Sequence, residues 1–204
     1  MSSHPKASKT DVVTDFRRSQ ILDAARDSFA KVGLARTTVD DIARRAGVAK
    51  GTVYLYYKSK EAILRQMLEN DLQQLRDDTV PIVSGPGDVA GKIRRFLAAA
   101  LAMFESRRDF FEHVHLEMGP DVRRKALQQG ELVFKAQVAA WETALRDASV
   151  SGEVGDIDPA TSARLIVGLA SGLAKQRCQG WSTGSLDDLA AGMSEILWKG
   201  LSAR

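Results

Sequence analysis

The chain has 204 residues, 44% of them hydrophobic and 27% charged, with a net charge of +3 at neutral pH. That length allows one or two domains, and the apolar share supports a sizeable core, which excludes a disordered chain. Cys178 is the single cysteine, so an intrachain disulfide is excluded. Residues 1–15 contain no leader-like apolar run, and nowhere is there an apolar run of about 18 residues, so the expectation is a cytoplasmic protein with no membrane partner.

The charge is unevenly placed. Residues 1–60 hold 12 Lys and Arg against 6 Asp and Glu, and the remainder holds 17 against 20. A basic end joined to a mildly acidic body fits nucleic-acid binding by the first and another task for the second.

In chain order, residues 1–15 are polar and aperiodic and read as a flexible arm whose Lys6 and Lys9 could touch a DNA backbone. A first helix is predicted over about 16–32, burying Ile21, Leu22, Ala25, Phe29 and Val32, with Gly33 past its end. Thr38 then serves as an N-cap with Asp41 three residues later, opening a helix whose apolar stripe is Val39, Ile42, Ala43 and Ala46. Gly47 supplies the left-handed stop, and a second short helix begins near Ala49. A helix, a break of a few residues and another helix is the spacing of a helix-turn-helix.

The second of these helices, AKGTVYLYY, is poor as a structural element. It holds Gly51, which costs roughly 1 kcal/mol against alanine, and it crowds β-branched and aromatic residues. Its chemistry suits DNA better: Ala49 and Gly51 let the backbone approach a groove, while Lys50, Thr52, Tyr54 and Tyr56 offer one cation and three hydroxyls for phosphates or base edges. Ser59 is a good N-cap for a long helix. Lys60 beside it puts a positive charge where the helix dipole disfavours one, a cost that a bound phosphate would reverse.

The residues ILDAARDSFAKVG (Ile21 to Gly33) and TTVDDIARRAGVAKGTVYLYYKSKEAIL (Thr37 to Leu64) resemble the N-terminal domain of the TetR family of transcriptional repressors. The resemblance covers about a quarter of the chain. It implies DNA contacts at Thr38, Lys50, Gly51, Thr52, Tyr54, Tyr56 and Lys60. Tyr57 stands where the family more often has phenylalanine, adding a hydroxyl that must find water or a partner.

A fourth helix is predicted from about Lys60 to Thr79, with Ile63, Leu64, Met67, Leu68, Leu72 and Leu75 on one stripe and Pro81 with Ser84 to Gly87 ending it. Further helices are predicted at about 88–106, 108–117, 120–149, 159–179 and 186–202. The fold class is all-α: a three-helix domain with a helix-turn-helix at 16–60 and a helical ligand-binding and dimerisation bundle at 61–204.

Glu112 to Pro120 brings His113, His115 and Glu117 close in sequence. On a helix the two histidines project about 200° apart and cannot grip one ion, so no metal is expected. There is no nucleophile, base and orienter set and no phosphate-cradling loop, so neither enzyme activity nor a cofactor is expected. Phe96, Phe104, Phe110, Phe111, Phe134 and Trp141, with Met103 and Met118, fall on helices five to seven. Most are expected in the core, yet bundles also place small-molecule cavities between helices. The resemblance implies an effector site there, assigned to Phe104, Phe111, His115, Met118 and Trp141, for an unidentified, mostly apolar small molecule. The last two helices carry many small residues; by resemblance they form a homodimer interface containing Leu165, Gly168, Leu169, Gly172, Leu189, Met193 and Leu197.

The reading is a ligand-responsive regulator, most simply a repressor released from a palindromic operator. The alternative is an architectural or co-regulator protein of the same fold that binds DNA without an effector.

Overall fold

A computed structural model describes residues 9–108, 110, 114, 117–178, 181 and 184–202. Its named helices are α1 (Lys9–Arg36), α2 (Val39–Arg45), α3 (Lys50–Tyr56), α4 (Lys60–Ser84), α5 (Val89–Glu105), α6 (Pro120–Ser151), α7 (Pro159–Cys178) and α8 (Leu186–Leu201). Among the described residues there is no β-strand, only an isolated bridge between Val154 and Ser202. The all-α expectation therefore holds.

The chain divides into two compact units, Met1–Leu68 with Asp109–Arg123 and Glu69–Arg108 with Arg124–Arg204. In the first, α2 packs on α1 and α3 on α2. Ile21, Ala25 and Phe29 of α1, Ile42 of α2, Val53 of α3 and Ile63, Leu64 and Met67 of α4 are all fully buried there. These are the positions that helical periodicity assigns to an inner face. In the second unit α5 packs against both α7 and α8. Ile93, Phe96, Leu97 and Leu101 share its core with Trp141 and Leu145 of α6 and Ala163, Ile166 and Val167 of α7.

Several boundaries differ from those expected. The first helix starts at Lys9, so residues 9–15 are helical where an arm was expected; residues 1–8, including Lys6, lie outside the described residues. It also continues to Arg36 across a break at Gly33, whose φ of 82° and ψ of 165° are not helical. Val32, expected in the core, is 41% exposed on the side the break leaves open. Helix α4 runs through Pro81 to Ser84. Proline removes one backbone donor and crowds the carbonyl four residues back, a cost that packing of the last turn has to offset. Fully buried Val83 anchors the last turn, and the Gly85 amide donates to the Pro81 carbonyl at 2.9 Å. Of the helix expected at 108–117, Arg108, Phe110 and Val114 are helical, and Phe111, His113 and His115 lie outside the described residues.

Tyr57, expected to send its hydroxyl to water or a partner, has a buried side chain whose hydroxyl meets no hydrogen-bond partner among the described residues. Burial accordingly pushes its pKa up, with Arg18 acting in the opposite sense. A buried unpaired hydroxyl costs about 1 to 3 kcal/mol, so Tyr57→Phe is expected to stabilise the protein by about 1 kcal/mol. A thermal midpoint in calorimetry that falls on this substitution would refute the assignment.

Candidate functional site

The reading head is built from caps. The Thr38 hydroxyl accepts from the Asp41 amide at 3.2 Å, and the Asp41 carboxylate accepts from the Thr38 amide at 3.1 Å and its hydroxyl at 2.6 Å. The reciprocal capping box predicted from sequence is therefore formed. These bonds favour the charged carboxylate and hold the Asp41 pKa below its ordinary value, with Arg44 contributing less. The sign follows: a depressed carboxylate stabilises the fold above its unfolded pKa, and this contribution is lost as pH falls through the folded one. Gly47 takes φ of 64° as the stop, and α3 starts at Lys50 with Ala49 as an N-cap that offers no side-chain acceptor. The first backbone donors of α3 are thus left without a side-chain cap, at the end of the helix where DNA backbone contact was expected.

On α3, Lys50, Gly51 and Tyr54 are exposed while Thr52 and Tyr56 are half-buried. A side chain at Gly51 would meet nothing within 4 Å, so the glycine leaves a bare approach rather than relieving an internal clash. Lys50 Nζ lies 2.7 Å from Asp40 Oδ2, both solvent-exposed, and this bond raises the lysine pKa. Thr38 is exposed at the start of α2. Lys60 behaves differently from the rest: its ammonium donates to the carbonyls of Leu34 at 2.8 Å, Ala35 at 3.2 Å and Thr37 at 3.1 Å. Its three donors are occupied by backbone rather than aimed outward. Ser59 caps α4 through the Ala62 amide at 3.2 Å.

A second basic surface was not singled out from sequence. Lys31, Arg44 and Arg45, with Ser28, Val32 and Asp41, line an open cleft of about 360 Å³ on the first unit. No sequence signal marks it, because its cations come from two helices.

The second unit contains a cavity of about 190 Å³ lined by Leu72 and Leu75 of α4, Phe96, Ala100 and Phe104 of α5, Gly130, Val133, Phe134 and Gln137 of α6, and Ala170 and Ser171 of α7. Of the five expected effector residues, Phe104 lines it. Trp141 is core instead, fully buried and edge-on to Phe96 at 5.5 Å, with an indole N–H that has no partner among the described residues. Met118 belongs to the first unit and does not line the cavity. Phe111 and His115 lie outside the described residues. Sequence reasoning missed Gln137, the cavity's amide group, whose Nε2 donates to Thr79 Oγ1 at 2.8 Å. Its place one turn from Phe134 and Val133 was the available signal.

The proposed interface residues are on the surface of the single chain. Leu165 and Leu169 are 58% and 47% exposed, and a side chain added at Gly168 or Gly172 would meet nothing within 4 Å. Leu189, Met193 and Leu197 are half-buried against the core. Among the described residues no three His, Cys, Asp or Glu side chains converge on a common point, and no helix is long and apolar enough to cross a membrane.

A basic head with a glycine-stopped helix pair and an exposed α3, followed by a helical bundle, defines a helix-turn-helix DNA-binding protein. Residues 21–67 match the family of bacterial regulatory proteins described as tetR. The chain is 29% identical over 178 residues to the HTH-type transcriptional regulator SrpR of Pseudomonas putida, covering 82% of this chain and 78% of that one. It is 24% identical over 164 residues to an uncharacterized HTH-type transcriptional regulator, YvdT, of Bacillus subtilis, covering 80% and 83%. In fold it is similar to the crystallised regulator FadR of Bacillus subtilis in complex with stearoyl-CoA, with a TM-score of 0.69 at 22% identity, covering 89% of this chain and 98% of that one. Residues 21–67 thus match the tetR family's DNA-binding segment, and the chain is a DNA-binding transcriptional regulator similar over most of its length to HTH-type regulators.

A phosphate at Lys50 would have to replace Asp40, so the carboxylate would compete with a bound duplex. Asp40→Asn is expected to raise duplex affinity severalfold at low salt, whereas Tyr54→Ala lowers it with an unchanged thermal midpoint. Fluorescence anisotropy against a salt series checks both; equal affinities for wild type and the two variants would remove α3 from the interface.

Proposed function

We propose that the chain is a homodimeric, cytoplasmic repressor that holds a palindromic operator through two heads and releases it when a small, mostly apolar effector fills the cavity of the second unit. Residues 16–60 read DNA, through Thr38, Lys50, Gly51, Thr52, Tyr54 and Tyr56 directly, and residues 61–204 serve effector and partner copy. The observation that carries the effector reading is the cavity itself. Among the described residues its lining is aliphatic and aromatic apart from Gln137 and Ser171, with no ionisable side chain. An apolar wall with a few fixed polar groups is the usual make-up of a small-molecule site. Crystallised FadR, similar in fold, is in complex with stearoyl-CoA. For the present cavity, at about 190 Å³ and without a lining cation, the fitting ligand is smaller and lacks phosphates. The cavity favours this reading over DNA binding without an effector, for which a tightly packed bundle would be expected.

Binding can release DNA only through differential affinity for two states of the protein, and a coupling of about 1 to 3 kcal/mol changes operator affinity about 5- to 150-fold. A thermal-shift screen of uncharged apolar compounds is expected to find binders that weaken duplex binding by such a factor. Gly130→Leu, which places bulk at the cavity wall, is expected to abolish both effects. Binders that act equally on Gly130→Leu would place the effector elsewhere, and a screen with no binder would favour the effector-free alternative.

The dimer is supported by the exposed Leu165 and Leu169 beside open Gly168 and Gly172 on α7. A Cβ at exposed Gly172 meets no described atom within 4 Å, so the effect of a leucine there reports on association rather than folding. Overpacking a close contact typically costs about 1 to 3 kcal/mol, and Gly172→Leu is therefore expected to weaken the dimer at least severalfold in sedimentation with an intact helical spectrum. A wild type that sediments as a monomer at micromolar concentration would overturn the interface.

A further inference from the structure

The turn from Gly33 to Thr37 delivers the chain from α1 to Thr38, the cap of α2. The non-helical Gly33 interrupts the end of α1, leaving the turn from Leu34 to Thr37 with an amide side and a carbonyl side. Both sides are met by distant ionised side chains. The Glu117 carboxylate accepts from the Ala35 amide at 2.8 Å, and the Lys60 ammonium donates to the carbonyls of Leu34, Ala35 and Thr37. The Thr37 hydroxyl closes the turn onto the Gly33 carbonyl at 2.7 Å. A negative group on the amides and a positive one on the carbonyls is the polarity that backbone dipoles favour. Gly33 is fitted to this arrangement twice over: its φ of +82° disfavours any side chain, and a Cβ would lie 3.0 Å from Glu117 Oε1.

We infer that Glu117 is a positioning residue for DNA reading: 79 residues beyond Thr38 in sequence, it fixes, together with Lys60, the turn that sets where the helix-turn-helix begins. The buried contacts of Ile21, Phe29 and Ile42 hold α1 and α2 in the core without it. The protein therefore stays folded when Glu117 is lost, and what is lost is the fixed placement of Thr38 and α2. Contact with base edges depends on such placement, whereas attraction to phosphates does not. The effect therefore falls on sequence-specific binding and spares non-specific binding. Glu117 comes from Asp109–Arg123, which the chain joins directly to α5 and α6, so sequence outside the helix-turn-helix controls how well it reads.

The test uses the full chain and two labelled duplexes: one selected by the wild type from a random-sequence library, and a scrambled version of it. Glu117→Ala is expected to lose roughly five- to fiftyfold in affinity for the selected duplex, the scale of one charge-assisted hydrogen bond, with no change toward the scrambled one. Glu117→Gln, which keeps an acceptor for the Ala35 amide, is expected to stay within about twofold of wild type, since the bond and not the net charge carries the effect. Wild-type affinity of Glu117→Ala for the selected duplex overturns the inference. So does a parallel loss toward both duplexes with a lowered thermal midpoint, which is a merely structural role, or an equal loss in the Gln variant, which is a charge effect. Failure of the wild type to enrich any sequence defeats the specific-reading premise as well, and is distinguished by the absence of a selected duplex.

Discussion

Everything in the reading head depends on how the backbone of a five-residue turn is satisfied. Between the end of regular α1 at Val32 and the cap of α2 at Thr38 the chain must reverse its helical course, and each amide or carbonyl that loses its intrahelical partner costs more than the hydrogen bond it replaces. The solution uses Gly33 for the forbidden dihedral, Thr37 for a local closure, and Lys60 and Glu117 for the remaining groups. Once the turn is fixed, the capping box fixes α2, Gly47 fixes the step to α3, and the position of Lys50 and Tyr54 follows.

This changes the meaning of Lys60. Its charge at the start of α4 opposes the helix dipole, and the sequence resolves that by supposing a phosphate. In the folded chain three carbonyls supply the negative partner instead. A lysine with all its donors on backbone contributes to DNA binding by holding the turn, so its removal acts on the whole head. Lys50 has the converse arrangement. Its partner Asp40 is a single exposed carboxylate, a type of pair worth little in water, and so it is readily exchanged for a phosphate.

The fold was largely legible in sequence because its signals are local. Capping at Thr38 and Asp41, the stop at Gly47, the cap at Ser59 and the helical stripes of α4 and α5 are all read within a few residues. The misses have long-range causes. Nothing near Lys60 indicates that it reaches back to Leu34, and Glu117, notable in sequence only for lying close to His113 and His115, accepts from the amide of Ala35. Trp141 shows the same limit. Helical spacing places it inside, but only packing against Phe96 tells core from cavity wall. Local boundary errors arose where tertiary burial overrides a breaker, as fully buried Val83 does beyond Pro81.

The two units are linked in the chain by elements that belong to both. Helix α4 gives Lys60 to Leu68 to the first and Glu69 to Ser84 to the second, and Asp109–Arg123 of the first is bracketed by α5 and α6 of the second. Leu72 and Leu75 line the cavity on the same helix whose first residue clamps the turn before Thr38. Helix α4 therefore carries cavity wall at Leu72 and Leu75 and the clamp of the turn at Lys60 on one continuous run of backbone hydrogen bonds. The cavity's polar group is anchored to the same helix, since Gln137 donates to Thr79 and Thr79 donates to the Leu75 carbonyl.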